Sequence, residues 1–304
     1  MTIAEVKRIP IKDILSQMGI EPVMSRCGGT QLMYNSPLRK DKNASFSVST
    51  RLNLWKDFGT QFAGNVIDLV IALKGNCSFR EAVAWLKQQA GNPEDETSSP
   101  NTSRPQEHNA SIMSGNSNMS DMRVKELSSP VLLKYLESRG IPAGIARRYC
   151  KEAHYTVRDR EYYAIAFMNI LGGMELRCQY FKGCHGVKAP SIVRADKAVR
   201  SPACCIFEGF MDFLSYKVLE ESGSSTLVHR TACDCIILNS TSIIQRAVPF
   251  IDVYLYAYSF LDNDLSGKQA FSTINRLLPG RIHDMSNKYE PINDLNDYLV
   301  SGLR

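Results

Sequence analysis

The chain has 304 residues, 44% of them hydrophobic and 22% charged, with a mean hydropathy of −0.21. That is enough apolar material for two or three cores and excludes disorder over the whole length. The longest apolar stretches, such as residues 66–73, are short and interrupted by Asp68, so no membrane span is expected.

The N-terminus has no apolar run leading to small residues at a cleavage point, so no secretory signal is read there. Nine cysteines occur without any Cys-x-x-Cys spacing. This offers neither a zinc knuckle nor a dithiol redox motif and fits a reducing cytoplasm. The net charge of +5 is uneven: residues 1–91 carry +5, residues 92–123 −3, residues 124–198 +6 and residues 199–304 −3. Such a layout fits nucleic-acid contact upstream and a carboxylate-rich site downstream. A mildly basic protein with solvated faces fits it too, because neither basic segment has a long Lys/Arg run.

In chain order, residues 11–15 read as a short amphipathic helix stopped by Gly19. Residues 31–34, 45–48 and 52–58 alternate like strands. Residues 65–73 and 78–89 read as helices, the second opened by a capping box of Ser78 and Glu81. Residues 94–121 are dominated by Ser, Asn, Thr, Pro and acids, and cannot bury enough to offset their ordering entropy. A flexible linker is therefore placed at 92–123, between a domain at 1–91 and a body beginning at 124.

In the body, residues 130–139 and 143–149 are expected to be helical, and residues 162–168 and 174–181 to pair as strands. From residue 203 the rhythm changes to strand–helix alternation. Strands are read at 203–207, 235–238 and 253–261, and helices at 210–220, 241–247 and 267–278. Short apolar strands alternating with helices mean a parallel sheet covered on both faces.

Acids fall at the ends of those strands. Glu208 follows the first, and Asp262 and Asp264 follow the third, in Phe260-Leu261-Asp262-Asn263-Asp264-Leu265-Ser266-Gly267. Ligands of open α/β sheets sit outside the carboxyl ends of strands. Carboxylates gathered there repel one another unless a cation intervenes, and hard oxygen ligands select Mg²⁺ or Mn²⁺.

Glu208-Gly209-Phe210-Met211-Asp212, followed some fifty residues later by the Asp262-x-Asp264 segment, resembles the Toprim signature of bacterial-type primases, topoisomerases and some nucleases. The wording is most similar to the primase branch. Asp294-Leu295-Asn296-Asp297 resembles a further acidic motif of that branch, with Leu295 in place of a tryptophan. Ser138-Arg139-Gly140-Ile141 resembles the opening of the primase core. Gly172-Gly173-Met174-Glu175-Leu176-Arg177 with Lys188-Ala189-Pro190 is similar to its phosphate-facing positions.

Residues 37–48 and 55–66 resemble the primase zinc ribbon, but the four ligand positions hold Ser36, Arg39, Asp57 and Thr60. Structural zinc needs thiolates or imidazoles, so no zinc is expected, and Arg39 and Asp57 are expected to pair. Template contact is assigned to Arg39, Lys40, Lys42 and Lys56. Trp55 or Phe58 is available for base stacking, unless both belong to the core.

The resemblance implies an α+β chain: a zinc-ribbon-like domain without zinc, a flexible linker, a basic primase core at 124–198 and a Toprim parallel α/β sheet at 199–304. It implies a cytoplasmic DNA primase, serving a plasmid or other mobile element, that synthesises primers on single-stranded DNA by metal-dependent nucleotidyl transfer. Glu208, Asp262 and Asp264 would be catalytic and hold Mg²⁺ or Mn²⁺, with Asp294 and Asp297 as further ligands and Asp212 in support. Arg177 and Lys188 would face the nucleoside triphosphate. The implied partners are the template, the nucleoside triphosphates and a separate helicase, with no membrane. A nuclease using the same acids, or a non-catalytic DNA-binding remnant, remains open on the sequence.

Overall fold

The computed structural model describes residues 1–60, 62–74, 77, 79–90, 119–195, 201–223, 227 and 232–302. Ser78 and residues 92–118 of the expected linker lie outside the described residues. The chain divides into two compact units, Met1–Glu107 and His108–Arg304. No helix among the described residues is long and apolar enough to cross a membrane.

The first unit begins with α1 (Ile3–Val6), where Thr2 and Glu5 form a capping box, and α2 (Ile11–Gln17). Strands β1 (Met24–Arg26), β2 (Gln31–Tyr34), β3 (Phe46–Ser49), β4 (Leu54–Asp57) and β5 (Ala63–Gly64) follow, then α3 (Val66–Lys74) and α4 (Phe79–Gln89). The sheet runs β1-β2-β3-β4-β5, antiparallel throughout. Its apolar face and the helices share a core that includes Ile11, Ile14, Phe46, Val48, Trp55, Leu69 and Leu86. Trp55 is 2% exposed, stacks on Phe46 with ring centres 5.1 Å apart and donates its indole N–H to the Asn65 carbonyl at 3.0 Å. That removes it from base stacking: it is a core residue.

The second unit opens with β6 (Ser120–Glu126), α5 (Pro130–Ser138), α6 (Ala143–Tyr149), β7 (Lys151–Val157), β8 (Arg160–Met168), β9 (Met174–Cys178) and β10 (Phe181–His185). The strands make an antiparallel sheet in the order β10-β9-β8-β7-β6. Glu152, buried on β7, accepts the Ser128 and Ser129 backbone N–H groups at 3.0 and 2.8 Å and so fixes the turn that leads into α5. Burial would raise its carboxyl, but those two bonds, His154 and Lys125 hold it down at about 2.

The remainder alternates: β11 (Ser191–Val193), β12 (Ala203–Phe207), α7 (Phe210–Ser222), β13 (Asp234–Ile237), α8 (Ile244–Ile251), β14 (Tyr256–Phe260), α9 (Leu265–Leu277), β15 (Ile282–Asp284) and α10 (Leu295–Ser301). The sheet order is β11-β13-β12-β14-β15. Its pairs are parallel, as expected, except for the antiparallel edge strand β11. One core joins both sheets of this unit: Leu132, Leu136, Ile165 and Phe167 pack with Phe207, Phe213, Tyr216 and Phe260. Phe207 stacks on Phe260 with centres 5.4 Å apart. Such pairs add about 0.5–1.5 kcal/mol beyond area burial, and they fix the ends of β12 and β14 side by side.

Three expectations change. Residues 120–123 belong to strand β6 rather than to the linker. Residues 174–181 are not one strand, since the chain turns at Gln179 and Tyr180 to form the hairpin β9–β10. The helix expected at 241–247 starts as a 3₁₀ turn over Thr241–Ile243 and continues as α8 to Ile251.

Candidate active site

Parallel pairing of β12 with β14 sets Phe207 beside Phe260, so Glu208 and Asp262 emerge at neighbouring strand ends. Helix α9 starts hard against the second of them. A Cβ at Gly267 would lie 2.0 Å from the Asp262 carbonyl oxygen, so only glycine permits this close turn. Asp264 caps α9, accepting the Gly267 N–H at 2.8 Å.

A cavity of about 270 Å³ lies beyond these strand ends, lined by Glu208, Asp212, Asp262 and Asp294 together with Arg139, Arg177, Lys182 and Lys188. Asp264 and Asp297 are not among its lining residues. Asp297 is instead paired with Arg139 at 3.1 Å and half-exposed. Asn296 is buried, donating to the Arg139 carbonyl at 2.9 Å and to Ser215 at 2.8 Å, and its side-chain oxygen accepts from the Arg139 guanidinium. The turn at 294–297 therefore holds Arg139 at the cavity.

The acids are poorly compensated. Burial, then repulsion from Asp212, Glu208, Asp294 and Asp264, pushes Asp262 up to about 8. Burial, then Asp294, pushes Asp212 up to about 7. Glu208 is raised by burial and then by Asp264, while Lys182 opposes the shift. Asp294 is raised chiefly by burial. The Glu208 Oε2 atom is buried without a hydrogen-bond partner among the described residues.

Hard oxygen donors carrying this much unrelieved repulsion fit Mg²⁺ or Mn²⁺ in chemistry. As they stand, no three His, Cys, Asp or Glu side chains among the described residues are grouped closely enough to hold a metal ion. The acids share one cavity without converging on one point.

In the same cavity lining, Lys188 pairs with buried Glu175 at 2.9 Å, and Arg177 Nε donates to the Tyr135 hydroxyl at 3.2 Å. Both side chains are thus held in place. Lys182, which neighbours Arg177 in register, forms no ion pair among the described residues.

In the first unit, the four ligand-position residues meet around Asp57. Arg39 Nη2 lies 3.2 Å from Asp57 Oδ1; the Gly59 and Thr60 N–H groups donate to the same oxygen at 2.7 and 3.3 Å, and the Ser36 hydroxyl donates to Oδ2. Asp41 also faces Arg39, at 3.4 Å; hydrogen bonds from Ser45 and the Ser36 N–H hold its carboxyl well below the usual range. A Cβ at Gly59 would come within 2.1 Å of the guanidinium. This donor set, a cation among carboxylates and hydroxyls, does not fit zinc.

Lys56 is 8% exposed with its ammonium over the Phe58 ring, 4.8 Å from the centre. Of the residues assigned to template contact, Arg39, Trp55 and Lys56 are thus engaged internally. Lys40 and Lys42 are exposed.

Residues 2–100 match the family model described as "CHC2 zinc finger", and residues 205–299 match "Toprim-like". The chain has the domain pairing of a Toprim primase. Between these domains, residues 121–186 match a domain of unknown function.

Among solved structures, the chain is similar to the zinc-binding and RNA polymerase domains of the Aquifex aeolicus primase. The identity is 17%, the TM-score 0.40, and the match covers 100% of this chain and 84% of that one. It is also similar to the primase fragment of the bacteriophage T7 primase-helicase, at 12% identity and TM-score 0.42, covering 86% and 91%. A third is the T7 lagging-strand DNA polymerase complex with primase domains bound to an RNA/DNA hybrid and dTTP, at 15%, 0.41, 60% and 88%. No curated protein matches.

Within the Toprim-like domain, the motif residues Glu208, Asp262 and Asp294 come together as one acidic wall. Lys182 and Arg139 line the same cavity. Neither was singled out as a site residue in the sequence. Lys182 lies on a hairpin whose turn was not recognised, and the only signal for Arg139 was its place in the Ser138–Ile141 motif.

Proposed function

We propose that the chain is a template-directed primase whose nucleotidyl transfer takes place in the cavity between the strand ends of the Toprim-like sheet and the β9–β10 hairpin. One observation carries this reading: mutually repelling carboxylates and several cations line one and the same space of about 270 Å³. Nucleoside triphosphates need both halves, cations for the phosphates and acids for the magnesium that accompanies them.

Glu208 and Asp262 are the residues that would hold the divalent cation, with Asp294 beside them and Asp212 behind. Once bound, the ion supplies charge neutralisation for the attacking and leaving oxygens of an in-line displacement. Asp264 serves by capping α9 and so fixing Asp262. Lys182 and Lys188 stabilise negative charge developing on the phosphates, with Arg177 and Arg139 orienting the same groups. Binding of the template weakens steeply with salt as phosphate contacts displace counterions.

Incubating the protein with single-stranded DNA, labelled nucleoside triphosphates and Mg²⁺ or Mn²⁺ tests this directly. Extended products are expected, whereas shortened DNA would mean that the same acids cleave phosphodiesters. Asp262→Asn abolishes synthesis while leaving DNA binding intact. Full synthesis by that variant would overturn the assignment.

A further inference from the structure

The antiparallel sheet of the second unit has two faces with different equipment. Register places Arg177 opposite Ile165, and Lys182 opposite Arg177, so the cavity residues lie on one face. Tyr155 pairs with Tyr162, and Phe181 with Cys178, which puts these rings on the other.

That second face carries a recess of about 470 Å³ lined by Met119, Tyr155, Tyr162, Tyr180 and Phe181, among others. Tyr155 stacks on Tyr162 with centres 5.9 Å apart and planes 19° from parallel, and lies 6.3 Å from Phe181. Tyr162 is 42% and Tyr180 89% exposed. Large aromatic rings left this open cost hydration free energy and mark an interaction surface.

The adjoining β7–β8 turn adds charge. Arg158 and Asp159 have φ of +48° and +60°, the two positions where hairpin turns favour Asn-Gly. A bulky side chain there costs roughly 1–2 kcal/mol, yet it places Arg158 beside Arg160 and Tyr162 at the rim. Neither arginine forms an ion pair among the described residues.

We propose that this face is a stacking platform for single-stranded nucleic acid, separate from the catalytic cavity. Open π-faces receive bases of any sequence, and unpaired arginines receive the phosphates between them. Charge selects this occupant over an apolar protein segment, since Arg158 and Arg160 line the rim beside Tyr162 with no carboxylate among its lining residues. Single-stranded DNA as the specific strand follows from the primase reading above, but the binding itself requires neither metal nor catalysis.

The test is fluorescence anisotropy of the full chain with a labelled oligothymidylate, in EDTA, across a salt series. Tyr162→Ala with Tyr180→Ala is expected to weaken binding roughly tenfold or more, and the corresponding Phe double variant to retain it. Arg158→Ala with Arg160→Ala lowers the slope of log affinity against log salt by roughly 1.4. Tyr180→Ala alone, at a fully exposed site, keeps the test valid if the double variant misfolds.

Unchanged affinity in the tyrosine and arginine variants overturns the platform, as does a change in oligomeric state in place of DNA affinity. Failed primer synthesis by the parent chain, with binding lost in the variants, would overturn the primase reading and leave the platform standing. Normal synthesis with unchanged binding would do the reverse.

Discussion

Replacing Asp262 by Asn should make the metal-free protein more stable, and by an amount that depends on pH. The folded chain holds this carboxyl near 8, against about 3.9 in an unfolded chain. Between those values the folded state binds more protons than the unfolded one, so stability falls as pH rises from about 4 to about 8. The full shift would correspond to roughly 6 kcal/mol. The side chain is partly solvated and titrates together with Glu208, Asp212 and Asp294, so screening and coupling reduce this to on the order of 2 kcal/mol.

Asparagine keeps the shape and removes the charge. At pH 7.5 in EDTA the variant should exceed the parent by about 2 kcal/mol, or roughly 4–8 °C in Tm for a unit of this size, and at pH 4 by almost nothing. Saturating Mg²⁺ should then stabilise the parent and not the variant, because only the native parent binds it. Urea melts at the two pH values, with and without Mg²⁺, measure all of this. An equal gain at both pH values, or none at pH 7.5, would refute mutual repulsion in the cavity.

Two further outcomes follow from the same structure. Arg39→Ala leaves the buried Asp57 carboxylate without its cation and should cost about 3–5 kcal/mol, read as a lowered urea midpoint for the first unit; stability within 1 kcal/mol of the parent would show that hydroxyls and backbone N–H groups suffice. Gly267→Ala puts a methyl into the Asp262 carbonyl and should destabilise by about 1–3 kcal/mol while cutting primer synthesis; normal synthesis would mean that the start of α9 is free to shift.

Much of this was legible in the sequence because it is written in local signals. Apolar runs of strand length alternating with helical ones gave the Toprim-like sheet, and acids just after Phe207 and Leu261 gave the acidic wall. The illegible parts were those without such signals. Strand β6 is mostly exposed, so its sequence carries no alternation and reads like the linker before it. Strand β15 is too short to show a period. The turn at Gln179 and Tyr180 lacks glycine and proline, so β9 and β10 merged into one strand. Trp55 has the composition of a stacking residue, and only its packing on Phe46 shows that it belongs to the core.

The two charged clusters of this chain show how structural and ligand-binding polarity are told apart. Around Arg39, each oxygen of Asp41 and Asp57 meets a hydroxyl, a backbone N–H or the guanidinium, and the carboxyl of Asp41 is stabilised as an anion. Arg39 Nε is the one buried atom there without a partner among the described residues, but the carboxylates are satisfied from within, and the guanidinium ties β4 and the loop before β3 together at the place where zinc would sit in such a ribbon. In the cavity the balance differs: among the described residues Glu208 Oε2 has no hydrogen-bond partner and Lys182 no ion pair, and Asp262 and Asp212 are pushed towards neutrality. Buried charge left unsatisfied is costly, and a fold that keeps it beside a solvent-reaching space does so for a ligand that supplies the missing counter-charges. The proposed ligand, a nucleoside triphosphate with its divalent cation, would supply both kinds of counter-charge.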